Sequence, residues 1–230
     1  DLAYGLLSSD PNIINDANQT FADVGDMDMV KDTIPGRQAL ATHKFIEGEY
    51  ESCIKILQTI EEHVGDTDEF NYNKGMALAA LSKWVEAEKY LLLVKNPAYL
   101  REIYYITWLC KCYIMNRKPD LAFTLYIEST NTEDAKALLQ IISTDCYAQG
   151  HYYYAMKAFD VLAKYELDPQ MREGMIVSAV GVFRNILTRK ESSDKLPDVL
   201  ECLSSEVEAA QVLQTIHNYI ETSGEFDTRM

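Results

Sequence analysis

Glycine and proline are scarce, ten and six among 230 residues. A chain so poor in turn-forming residues is ill suited to many short strands joined by tight turns and well suited to long helices. Long apolar runs are missing as well. Nothing approaches the ~20 consecutive apolar residues of a membrane-spanning helix, so membrane insertion is not expected. Positive charge is in short supply: 21 Lys and Arg stand against 36 Asp and Glu, a net charge of −15 at pH 7. Such a chain repels phosphate backbones and is not expected to bind nucleic acid, whereas a basic or mixed protein surface would suit it. The five cysteines, Cys53, Cys110, Cys112, Cys146 and Cys202, are odd in number and scattered. That spacing lacks the density of a secreted disulfide framework and points to a reducing, intracellular compartment. No signal peptide is evident, and the chain opens on Asp1 rather than Met, so it is expected to be a piece of a longer protein with the missing part N-terminal. What is present is 47% hydrophobic and 25% charged residues, the balance of an ordinary folded protein.

The stretch GHYYYAMKAFDVLAKYELDP, residues 150–169, shows how the apolar residues are arranged. After Tyr154 there is no strand-like alternation. Ala155, Ala158, Phe159, Leu162 and Ala163 recur at i, i+3, i+4, i+7 and i+8, one face of a helix. Gly150 before it and Pro169 after it punctuate both ends.

The pattern recurs. Ala155 is followed four residues later by Phe159, Ala122 by Tyr126, Ala87 by Leu91, and Cys53 by Leu57; the small residues lie 33, 35 and 34 positions apart. Three positions before each small residue stand Tyr152, Pro119, Trp84 and Tyr50. Gly48, Ser82 and Gly150 mark the preceding turn, with Arg117 as the exception. A period near 34 with a small residue four before a large one is the tetratricopeptide signature. Each repeat is an antiparallel helix pair. The small residue lets the two helices approach, and the large one is expected to plug the groove towards the next repeat. The expected fold is therefore all-α, a tetratricopeptide-repeat α-solenoid with C-terminal capping helices. Residues 34–169 hold four helix pairs. Residues 1–33 hold part of a preceding unit, with Ala17, Phe21 and Val24 on the same template, and an acidic loop. Residues 170–230 hold the caps, one long helix from 171 to about 190 and two shorter ones, ending in a frayed tail beyond Gly224. Tyr152 is a packing position, and at least one of Tyr153 and Tyr154 is expected at the surface.

No set of residues forms a catalytic or metal-binding pattern, and no cofactor is expected. Cys110 and Cys112 are two apart on a helix, ~200° around it, too far to share a metal, and read as buried small residues. His43, His63, His151 and His217 have no ligand partner at metal spacing. Glu61, Glu62, Asp66, Asp68 and Glu69 read as a solvated helix end and loop. The aromatic stripes Tyr104, Trp108, Cys112 and Tyr105, Leu109, Tyr113 read as core ahead of a peptide-binding groove. Asn71, Asn73 and Lys74 are a fragment of the cationic clamp that some such arrays use for carboxylate tails, although the chain's acidity argues against the rest of it.

Several strings are more specific than repeat packing requires: DTIPGRQ (32–38), FNYN (70–73), WLCKCYIMNRKPDLAFTLY (108–126) and LLQIISTDCYAQGHYYYAMKAFDVLAKYELDP (138–169). They resemble the C-terminal half of the intraflagellar transport protein 56 family, tetratricopeptide subunits of the complex-B trains that move material along cilia and flagella. The likeness covers most of 32–169, continues more weakly through the final helices, and departs at 39–45 and 66–69. The resemblance implies a non-enzymatic scaffold with no catalytic residues. Its implied partners are other complex-B proteins and ciliary cargo, notably motility components, and its implied location is the cilium or flagellum and its base. Two readings stand beside this one: a general tetratricopeptide adaptor or co-chaperone outside cilia, and a helical appendage to an enzyme whose active site lies upstream.

Overall fold

Five helices among the described residues end in the same way. Gly48, Ser82, Arg117, Gly150 and Arg189 adopt φ of 77°, 59°, 62°, 78° and 56°, the left-handed region. At each, the next residue's N–H reaches back to a carbonyl five positions earlier: Glu49 to Lys44, Lys83 to Leu78, Lys118 to Tyr113, His151 to Cys146, and Lys190 to Asn185. The left-handed residue's own N–H bonds the carbonyl three before it. This is a Schellman cap, which satisfies the last free carbonyls and reverses the chain within two or three residues. The first four caps carry the 34-residue rhythm. Arg117, the exception by residue type, adopts the same backbone as the glycines, and Arg189 adds a cap that the sequence pattern does not mark.

The computed structural model describes residues 11–129, 132–165 and 168–223. The described residues form helices α1 Pro11–Asp26, α2 Ile34–Ile46, α3 Tyr50–Gln58, α4 Glu61–Val64, α5 Asp68–Ala80, α6 Trp84–Leu91, α7 Pro97–Leu100 and α8 Ile103–Met115, then α9 Pro119–Glu128, α10 Thr132–Ala148, α11 Tyr152–Tyr165, α12 Pro169–Leu187, α13 Leu196–Ser204 and α14 Ala210–Ser223, with single 3₁₀ turns before the last two. No strand occurs among the described residues. The fold class is the all-α tetratricopeptide-type α-solenoid expected from the sequence. The frayed tail expected beyond Gly224 lies outside the described residues.

Helix starts follow from local chemistry. Thr33 Oγ1 accepts the Gly36 N–H, Thr67 Oγ1 the Phe70 N–H, Asn96 Oδ1 the Ala98 N–H and Asp168 Oδ1 the Gln170 N–H. Each side chain satisfies one of the donors a helix start leaves unpaired. Proline at the first or second position of α2, α7, α9, α12 and α13 fits the same place, because its missing N–H is not needed there.

The chain forms two compact units, residues 1–112 and 113–230, with the boundary inside α8. In the first unit α1 packs on α2, α2 on α3, α3 on α5 and α5 on α6. Its core contains Phe70, Leu57, Leu78 and Leu91, each less than 2% exposed. The approach of α5 to α6 is close: a Cβ added at Gly75 would lie 2.8 Å from the Leu91 side chain, so only glycine fits. In the second unit α9 packs on α10, α10 on α11, α11 on α12, α12 on α13 and α13 on α14. Leu138, Leu139, Ile142, Met156, Leu162, Met175 and Leu203 form its core.

Candidate functional site

The paired packing positions are buried as a set. Cys53 is 2% exposed and Leu57 1%; Ala87, Leu91, Ala122 and Ala155 are fully buried, and Phe159 is 9% exposed. Tyr126 departs from them. It is half-buried, with its ring edge-on to Phe123 at 5.2 Å. The large residues do not all meet the same kind of neighbour. Leu91 presses on Gly75 of its own hairpin, whereas Phe159 presses on Gly174 of the following helix, α12. Tyr152 packs edge-on against Tyr147 and close over Gly181. Tyr153 and Tyr154 are both half-buried; the Tyr153 hydroxyl donates to Asp198 Oδ2 at 2.6 Å, and Lys195 Nζ sits 4.4 Å from its ring centroid.

The acidic positions are more than solvated ends. Glu61 takes a 2.6 Å ion pair from Lys74, itself 4% exposed, and a 2.8 Å hydrogen bond from the Tyr90 hydroxyl. Partial burial opposes ionisation of Glu61, but these two donors outweigh it and hold the carboxyl below its usual range. Asp68 accepts the N–H groups of Lys95 and Asn96 at 3.0 and 2.8 Å, and Tyr99 donates to Glu69. The clamp fragment is consumed internally. Lys74 is committed to Glu61 and the Tyr90 ring, and the Asn71 amide donates to the Gly65 and Thr67 carbonyls. Only Asn73 of the three faces open space.

That space is a groove of about 380 Å³ in the first unit. Its walls come from helical spacings. Gln38, Thr42 and Phe45 lie along one stripe of α2, with Ala41 and Ile46 beside them; Tyr72, Asn73 and Met76 line it from α5. Tyr50, Cys53 and Leu57 of α3 form a further wall, and Glu102 and Tyr104 complete the lining. Of the aromatic stripes on α8, Tyr105 and Leu109 go to the core, as does Cys112, while Tyr104 stays 53% exposed at this groove. Tyr72 is held by neighbours: its ring stacks on Tyr105 at 6.2 Å and leans on Tyr99 at 5.2 Å, and its hydroxyl donates to Glu102 Oε2 at 3.0 Å. Burial, then the Glu102 charge, pushes the Tyr72 phenol far above its usual range. Burial pushes the Cys53 thiol up to about 12, which favours the protonated form in the wall. The groove therefore offers apolar and aromatic surface, two amides and one carboxylate.

Sequence reasoning set a peptide-binding groove behind the core reading of the Tyr104 stripe, because most of the lining, drawn from residues 38–104, is apolar and looks like ordinary core in isolation. Tyr104 beside the buried Tyr105 was the available signal. No group of three or more His, Cys, Asp or Glu that could hold a metal occurs among the described residues, and no described helix is long and apolar enough to cross a membrane.

Comparison with known proteins adds two findings. A family model described as intraflagellar transport protein 56 matches residues 2–225. The chain is also 30% identical over 189 residues to the Caenorhabditis elegans protein named intraflagellar transport protein 56 homolog, a match that takes in 82% of this chain and 33% of that protein. The chain thus spans about a third of the length of the curated relative it matches.

Proposed function

Since this chain belongs to the intraflagellar transport protein 56 family, we propose that it is a scaffold segment of the intraflagellar transport machinery. In this reading it works at the cilium or flagellum and its base, and docks other complex-B proteins and ciliary cargo, motility components among them, through its helical-repeat surface. It performs no catalysis of its own. The observation that carries the proposal is the family match along nearly the whole chain, 2–225, and an open apolar groove in the first unit supports it. Stacked helical hairpins suit such work because they spread contact area over several repeats on rigid elements.

Affinity purification of the tagged protein from ciliated cells tests the reading. Recovery of other intraflagellar transport subunits is expected. Recovery of chaperones in their place would favour the general adaptor reading and overturn this one.

A further inference from the structure

The groove states what kind of partner it takes. Among its lining residues Glu102 is the sole charged side chain, and no Lys, Arg or His shares the lining. Glu102 is half-buried; Oε2 accepts the Tyr72 hydroxyl, while Oε1 has no hydrogen-bond or ion-pair partner among the described residues. The side-chain amides of Gln38 and Asn73, also facing the groove, have none either. A half-desolvated carboxylate without a cation, set in the lining of an apolar trough, is complementary to a basic group carried on an apolar segment. The volume, about 380 Å³, admits a few side chains and not a folded domain.

We propose that the groove docks a short apolar segment of another protein that carries a lysine or arginine, its apolar side chains lying against Phe45, Ile46 and Met76 and its cationic head meeting Glu102 beside the rings of Tyr72 and Tyr104. The proposal rests on the scaffold reading above. A second copy of this chain is a poor occupant because each copy carries −15. The tyrosine rings strengthen the choice of a cation, since an ammonium or guanidinium over a ring face is attracted to it.

The test uses the whole chain and a displayed library of random twelve-residue peptides. Peptides with apolar anchors and a basic residue should be enriched over the input library. Counter-selection on Glu102→Gln should erase the basic preference and keep the apolar one, and Asn73→Trp, which fills the trough, should erase enrichment altogether. For the best peptide, measured by fluorescence anisotropy, Glu102→Gln should weaken binding roughly tenfold at low salt and less at high salt. Tyr104→Ala, at an exposed position, should weaken it without changing the melting temperature, which separates lost contact from lost fold. Enrichment of acidic or uncharged peptides, enrichment indifferent to Glu102→Gln or Asn73→Trp, or no enrichment would overturn the proposal. If the peptides behave as expected but the protein recovers no transport subunits from cells, the scaffold reading fails alone. If subunits are recovered equally by wild type and Asn73→Trp and no peptide is selected, the groove assignment fails alone.

Discussion

The repeated turn makes predictions of opposite sign at equivalent positions. Gly48 and Gly150 sit at φ of 77° and 78°, and a Cβ added at either would meet nothing within 4 Å. Alanine there has no steric clash to answer for, only the left-handed backbone, which costs an L-residue about 1–2 kcal/mol. Alanine also restricts the unfolded chain, which offsets about 0.4–1 kcal/mol. The net loss for Gly48→Ala or Gly150→Ala is therefore between about 0 and 1.6 kcal/mol, centred near 0.8, with every backbone hydrogen bond retained. Ser82 and Arg117 already bear that cost at φ of 59° and 62°. Ser82→Gly and Arg117→Gly should then stabilise by a similar amount. For a chain of this length, 1 kcal/mol moves the melting temperature by about 2–4 °C. Thermal unfolding followed by circular dichroism should show the two alanine variants falling and the two glycine variants rising. A Gly48→Ala that melts higher than the parent, or an Arg117→Gly that melts lower, would refute the equivalence of these turns.

Other outcomes follow from packing and charge. Ala155→Arg and Ala122→Arg each force a long cation into a site with no solvent exposure and should cost about 3–5 kcal/mol, read from urea midpoints, whereas exposed Glu62→Ala should be near neutral. Glu61→Gln leaves the buried Lys74 ammonium without its carboxylate. Because Glu61 is itself a third exposed, the loss at neutral pH should be about 2 kcal/mol, below that of a fully buried pair. The Glu61 carboxyl is lowered from 4.5, so its contribution is complete above pH 4.5 and fades as pH falls through the lowered value; the variant should approach wild type in acid, and a gap unchanged down to pH 3 would contradict the pairing. Asp68→Ala releases the Lys95 and Asn96 N–H groups and should cost about 1–2 kcal/mol and speed amide exchange at both positions.

A small residue recurs every 33 to 35 positions, at Cys53, Ala87, Ala122 and Ala155, and that rhythm was legible in sequence; all four residues are buried. Turn geometry was legible at Gly48, Ser82 and Gly150, where a small residue marks it, and illegible at Arg117 and Arg189, where a long left-handed side chain gives no such mark. The polar interactions were hidden for a different reason. Glu61, Lys74 and Tyr90 lie on three helices, and Asp68 bonds a backbone 27 and 28 positions on, so no local window contains them. The groove was obscured because apolar residues that line a trough and apolar residues that fill a core share one periodicity. Tyr104 and Tyr105 show the difference: adjacent on α8, one is 53% exposed and the other 4%.

Residue-resolved cross-linking within the assembled transport complex tests the central claim most directly. A photo-activatable residue at position 104, at the groove, should capture a neighbouring subunit through an apolar segment bearing a basic residue, while the same residue at exposed position 62 should capture far less. Cross-links confined to position 62, or none from position 104 in an intact complex, would contradict the account.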